Sequence, residues 1–143
     1  MSADEQQIRT LIHRWAAAIR AGDLDGVLAD HTADIVMFDV PPPQRGVRGI
    51  DAYRETWPPF FAWLVDGAAF DIVDLSVTAG ADIAFAHALL RCGRPEELAA
   101  APDTRLRLTL GLRKEADRWV IAHEHHSFPD TTVADQAALS SRG

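Results

Sequence analysis

The stretch Trp119–Pro129, WVIAHEHHSFP, decides how the chain is read, because it sets three histidines and a glutamate into a segment that otherwise alternates like a β-strand. Successive side chains of extended backbone point to opposite faces. Strict alternation therefore groups Arg118, Val120, Ala122, Glu124 and His126 on one face and Trp119, Ile121, His123 and His125 on the other. Working back from this stretch, the same period of two predicts strands at Phe70–Ala79, Ile83–Cys92, Arg105–Lys114 and Arg118–Ser127. They are joined by Ala79-Gly80-Ala81-Asp82, by a loop over Gly93–Pro102 and by Glu115-Ala116-Asp117.

The front of the chain has the other period. Ser2 and Glu5 have capping-box spacing, and Ile8, Leu11, Ile12, Trp15 and Ile19 recur at helical intervals up to Gly22. Asp23 caps a shorter helix through Leu28, and Thr32-Ala33-Asp34 reads as a turn. Ile35 to Val40 is a short strand ended by Pro41-Pro42-Pro43, which leaves Asp39 among its last residues. After Gly46 and Gly49, Asp51 caps a helix toward Trp57; Pro58-Pro59 interrupts it ahead of Phe60, Phe61, Trp63 and Leu64. Helices followed by a run of strands give an α+β pattern, with the helices on one face of the sheet.

A chain of 143 residues, 48% hydrophobic and 24% charged, is one ordinary globular domain. Its formal charge of −7 disfavours a nucleic-acid backbone as partner. One cysteine, Cys92, excludes an internal disulfide and fits a reducing cytoplasm, while MSADEQQ lacks the pattern of a signal peptide and no apolar run is long enough to span a membrane. Gly46 and Gly49 lack the context of a phosphate loop, and no serine stands in a nucleophile elbow.

With WAAAIRAGDLDGVLADHTADIVMFDV at the front and W-x-I-x-H-x-H-x-S at the end, the chain resembles the nuclear transport factor 2 superfamily over residues 3 to 128. Within it, the chain is most similar to ketosteroid isomerase and the SnoaL-like polyketide cyclases. The resemblance implies one domain over 1–128, and the small, polar residues from Asp130 to Gly143 read as a loosely held tail, which sets the division at 1–128 and 129–143. It also implies a cone-shaped barrel, a curved antiparallel sheet wrapped around the long N-terminal helix, with an apolar pocket at its open end. A homodimer through the outer sheet face is implied as well. Carried over residue by residue, Asp39 falls at the isomerase's carboxylate base, while Trp15 and Thr109 replace its two oxyanion donors. The pocket would then be faced by Ile83, Phe85, His87 and Leu89, by Arg107, Thr109 and Gly111, and by Ala122, Glu124 and His126. The alternation of Ile83, Phe85, His87 and Leu89 with alanines also reads as the bulky, core-forming face.

Each candidate has a functional and a structural reading. Asp39 is a general base or a strand-ending aspartate that accepts backbone N–H groups. His87 is an acid or base opposite Asp39, or a core imidazole with one polar neighbour. Glu124 and His126 are an acid–base pair or simply bridge each other and Arg107. His123 and His125 have two-ligand spacing, short of a metal site, and otherwise face solvent or a second copy. Arg105 and Arg107 hold a carboxylate or pair with local acids. Trp15, Tyr53, Trp57, Phe60 and Phe85, with Arg107 and Thr109, are the expected ligand contacts.

The expectation is a cofactor-free, metal-free enzyme whose acid–base chemistry isomerises, cyclises, dehydrates or hydrates a small apolar cyclic or polyketide-like molecule. The catalytic set is Asp39, His87, Glu124 and His126. The alternative is a ligand-binding or dimerisation module of the same fold without chemistry.

Overall fold

The computed structural model describes residues 1–133. The expected tail falls mostly on residues 134–143, which lie outside the described residues. The elements run α1 (Ala3–Ala21), α2 (Leu24–Leu28), β1 (His31–Phe38), β2 (Val47–Arg48), α3 (Ile50–Glu55), α4 (Trp57–Val65), β3 (Ala69–Ala79), β4 (Ile83–Gly93), α5 (Pro95–Ala100), β5 (Leu106–Glu115) and β6 (Arg118–Ser127). This is the α+β architecture expected, a six-stranded curved sheet around the N-terminal helix in the order β2-β1-β6-β5-β4-β3. Every pair is antiparallel except β1 with β6, which run parallel.

The Ser2 side chain accepts the Glu5 N–H at the start of α1, and Gly22, at φ +67°, closes its end. Between them Ile8, Leu11, Ile12, Trp15, Ala16 and Ile19 turn to the sheet and are buried. Arg9 and Arg20 donate from α1 to the carbonyls of Leu75 and Phe70, fixing the helix along β3. Helices α3 and α4 meet at Thr56, and Pro58-Pro59 opens α4 rather than interrupting it. The first turn of a helix has N–H groups without partners, so proline costs nothing there.

Several expectations need correction. β1 begins at His31, in place of the turn read at Thr32-Ala33-Asp34, because its pairing with β6 slips between His31 and Val36 and absorbs the irregular residues. The loop over Gly93–Pro102 contains α5, opened by Pro95 and held by the Glu97 side chain accepting the Arg94 N–H.

The inner and outer faces of β4 and β5 are inverted relative to the expectation. Ala84, Ala86, Ala88 and Leu90 are buried, whereas Ile83, Phe85 and Leu89 are exposed by 62, 51 and 39%. The inner face of β4 shares a core with α1, where methyl groups leave room for the helix and bulky side chains would not. On β5 the leucines at 106, 108, 110 and 112 point inward, which turns Arg107 and Thr109 out. β6 is split by an extra residue, with Gly111 opposite His123 but Leu112 opposite Ile121. The bulge at Ala122 resets the alternation, so Trp119 and Ile121 share the inner face with Glu124 and His126.

Candidate functional site

β1 and β6 lie side by side with Met37 opposite Glu124, and this register brings the acid of β6 to the inner surface beside the end of β1. Glu124 is fully buried and both of its oxygens are engaged. Oε1 accepts from His126 Nε2 at 2.9 Å. Oε2 accepts from the Tyr53 hydroxyl at 2.6 Å and meets His31 Nε2 at 2.6 Å. Tyr53 OH lies 2.9 Å from the same His31 nitrogen and accepts the Trp15 indole N–H at 3.3 Å. The other ring nitrogen of His31, Nδ1, is buried without a partner, so the proton shared with Glu124 sits on Nε2.

Burial would push the Glu124 carboxyl up, but hydrogen bonds from His126 and His31 outweigh it and hold the group at about 2. Burial opposes charge on His126 too; the hydrogen bond to Glu124, its charge and that of Asp39 prevail and raise the imidazole above its ordinary value. Tyr53 is pushed well up by burial and then by the Glu124 charge, so it remains a neutral phenol that donates. Glu124 is thus an ionised carboxylate, and its charge favours the protonated form of His126.

His126 is the link from this network to a cavity. The other ring nitrogen, Nδ1, stands 3.9 Å from Asp39 Oδ1, and both residues line a cavity of about 430 Å³. The ends of β1 and β6 form one side of it with Met37, Val40, Pro41 and Phe128, Thr56 at the junction of α3 and α4 lies beside Trp57, Pro59, Phe60 and Trp63 of α4, and Phe70, Cys92 and Leu106 complete the wall. The aromatic rings pack edge to face, Trp57 on Phe60 at 5.5 Å and Phe60 on Phe70 at 5.4 Å. Asp39 is a quarter exposed, and its Oδ1 accepts the N–H of Val40 at 2.8 Å. Burial pushes the Cys92 thiol up to about 12, so at neutral pH it is an uncharged wall group and a poor nucleophile.

The cavity therefore collects Asp39, His126, Trp57 and Phe60 from the residues singled out in the sequence. Glu124, Tyr53 and Trp15 form the buried layer behind it. His87, Phe85, Arg107 and Thr109 are not brought to it; they stand on the outer face, where His87 pairs across the sheet with Thr109 and Thr109 with His125. His87 as Asp39's partner is thus corrected to His126, and the bridge from Glu124 to Arg107 to one between Glu124 and His31. Arg107 instead donates to Ser127, and His123 is tied through Nδ1 to the Val36 carbonyl. His31 went unnoticed because the residues after it read as a turn. The reset at Ala122 has no sequence signal either. The inward leucines of β5 did have one, since Leu106, Leu108, Leu110 and Leu112 alternate without exception.

Comparison with known proteins agrees with this architecture. Residues 8–131 match the family described as a SnoaL-like domain. A protein of unknown function from Pseudomonas putida KT2440, described as NTF2-like, is 35% identical, with 92% of each chain covered and a TM-score of 0.80. An NTF2-like protein with a cystatin-like fold from Novosphingobium aromaticivorans is 20% identical, covering 96% of this chain and 87% of its own, with a TM-score of 0.70. A ketosteroid isomerase-like protein from Erwinia carotovora atroseptica is 19% identical, covering 91% of this chain and 99% of its own, with a TM-score of 0.64. No curated protein matches.

Proposed function

This chain belongs to the SnoaL-like family, and from that premise we propose that it is a cofactor-independent acid–base enzyme acting on a small, apolar, cyclic or polyketide-like molecule. The observation that carries the reading is the pairing of Asp39 with His126 on the wall of an otherwise apolar cavity, His126 being backed by an ionised, buried Glu124. Asp39 is the general base, taking a proton from a carbon beside a carbonyl or from water. His126 holds the matching proton, which it delivers to the guest's oxygen, and Glu124 balances the imidazolium while that proton is in place. Isomerisation, cyclisation, dehydration and hydration all need such a matched pair in a water-poor site.

No lysine or arginine lines the cavity among the described residues, so nothing compensates a guest's negative charge beyond His126, which Glu124 already engages. A neutral guest is expected to bind more tightly than its carboxylate counterpart. The protein works in a reducing cytoplasm on this reading. It pairs with a second copy through the outer sheet face, where Ile83, Phe85 and Leu89 are exposed.

The rival reading is a binding module without chemistry. It is favoured by the Val40 N–H that Asp39 accepts, which gives that carboxylate a turn-holding role. A thermal-shift panel of neutral cyclic ketones and polyketide-like compounds supplies the probe, since a ligand that binds the folded state raises Tm by mass action. With a compound that is turned over, Asp39→Asn is expected to lower kcat by about 10²- to 10⁴-fold while the Tm shift persists. Undiminished turnover removes Asp39 from the mechanism.

A further inference from the structure

Glu124 has two oxygens and three donors. One oxygen serves His126, the residue that reaches the cavity; the other is shared by Tyr53 and His31, neither of which lines the cavity. A carboxylate divides its charge among its hydrogen-bond donors, so each proton given to Oε2 makes Oε1 a weaker acceptor for His126. We propose that Tyr53 and His31 are positioning residues that act through Glu124 to set how tightly His126 holds the proton it offers in the cavity. This deepens the reading of His126 as the acid of the site and rests on it.

The geometry around Tyr53 is what gives that residue leverage. Its ring packs between His31, at 4.6 Å, and Trp57, at 5.7 Å, and Trp57 is itself part of the cavity wall. Its hydroxyl is fully buried and donates to Glu124, while the Trp15 N–H, arriving on the phenol oxygen, polarises the O–H further toward the carboxylate. His31 is held by Nε2 alone, between Glu124 Oε2 at 2.6 Å and the Tyr53 hydroxyl at 2.9 Å, and its Nδ1 has no partner among the described residues. Among the described residues, the titratable groups facing His126 are few. They are Glu124 from its own strand and Asp39 from the end of β1, with the Cys92 thiol of β4 in the same cavity wall and with His31 and Tyr53 behind Glu124. Of these, Tyr53 is the one whose hydroxyl can be removed while its ring still fills the same space.

The sign follows. Without the phenol proton, Glu124 is the more basic carboxylate, and the Glu124–His126 pair keeps its shared proton to higher pH. Replacing the carboxylate by a neutral amide does the reverse.

The test is a pH titration of the His126 ring signals in the full chain, with ¹⁵N-labelled histidine and the signals assigned by their loss in His126→Gln. No substrate is needed. In Tyr53→Phe the His126 midpoint is expected to move up by about 0.5 to 1 pH unit, a part of the roughly 1 to 2 units that one hydrogen bond to a charged group is worth, because the change reaches His126 only through Glu124; in Glu124→Gln it is expected to move down. Should Tyr53→Phe fail to fold, His31→Ala takes its place with the same upward direction. A midpoint that stays where it is in the wild type, or falls, in a folded Tyr53 or His31 variant overturns the proposal. Because the titration is read without turnover, the proposal can fail while Asp39 and His126 remain the acid–base pair, and an inactive protein can still carry the coupling.

Discussion

Glu124 is a buried charge that the fold tolerates because three side chains satisfy it, and removing it leaves those donors without an acceptor. Glu124→Ala is expected to destabilise the protein by about 3–5 kcal/mol, measured by urea denaturation at neutral pH. The same group fixes an acid limit. Its folded value of about 2 lies below the 4.5 of an unperturbed glutamate, so its contribution is present above about 4.5 and is lost as pH falls toward 2. His126 has the opposite sign: raised above 6.5 in the fold, it contributes fully below 6.5 and loses that contribution as pH rises through its folded value. Stability measured against pH is expected to be highest between these limits and to fall on both sides. His87 is the contrast. It lies on the outer face, away from the cavity, and His87→Ala is expected to leave ligand-induced Tm shifts intact.

At the scale of elements, what the sequence discloses is the order and the periods. The cap at Ser2, the apolar stripe of α1 and the bounds of β6 follow from spacing and appear as read. Which side of β4 faces inward is another matter, because it depends on the partner across the interface rather than on the strand. The alanines of β4 are inside since α1 shares their core, and no pattern within β4 records that. Bulges escape for the same reason. One extra residue in β6 moves Trp119 and Ile121 across the sheet relative to simple alternation. The loop carrying Asp39 depends on Gly46, at φ +84°, where a Cβ would stand 2.6 Å from the Phe38 ring and 2.8 Å from the Met37 carbonyl oxygen. Gly46→Ala is therefore expected to cost about 1–3 kcal/mol and to weaken ligand binding, because relieving those contacts displaces Asp39 and Val40 at the cavity wall.

Across the whole molecule, the architecture was legible because helix and strand periods follow one another along the chain in the order the fold uses them. The site was legible only in part. Asp39, Glu124 and His126 announce themselves as polar residues in apolar surroundings, but His31 joins them through an irregular parallel pairing that sequence patterns do not encode. The exposed Ile83, Phe85 and Leu89 give a further expectation. If a second copy covers them, sedimentation equilibrium gives a dimer, and Phe85→Glu gives a folded monomer; a wild-type monomer at high concentration removes that pairing.

The cavity's chemistry is tested most directly by solvent deuterium exchange at the acidic C–H of a cyclic ketone that raises the Tm, followed by NMR in D₂O. Wild-type protein is expected to exchange the proton beside the carbonyl far faster than buffer, and Asp39→Asn, with the ketone still bound, is expected to lose that acceleration. Exchange at the buffer rate with the ketone bound to the wild type, or equal acceleration by wild type and Asp39→Asn, would contradict the assignment of Asp39 and His126 as an acid–base pair.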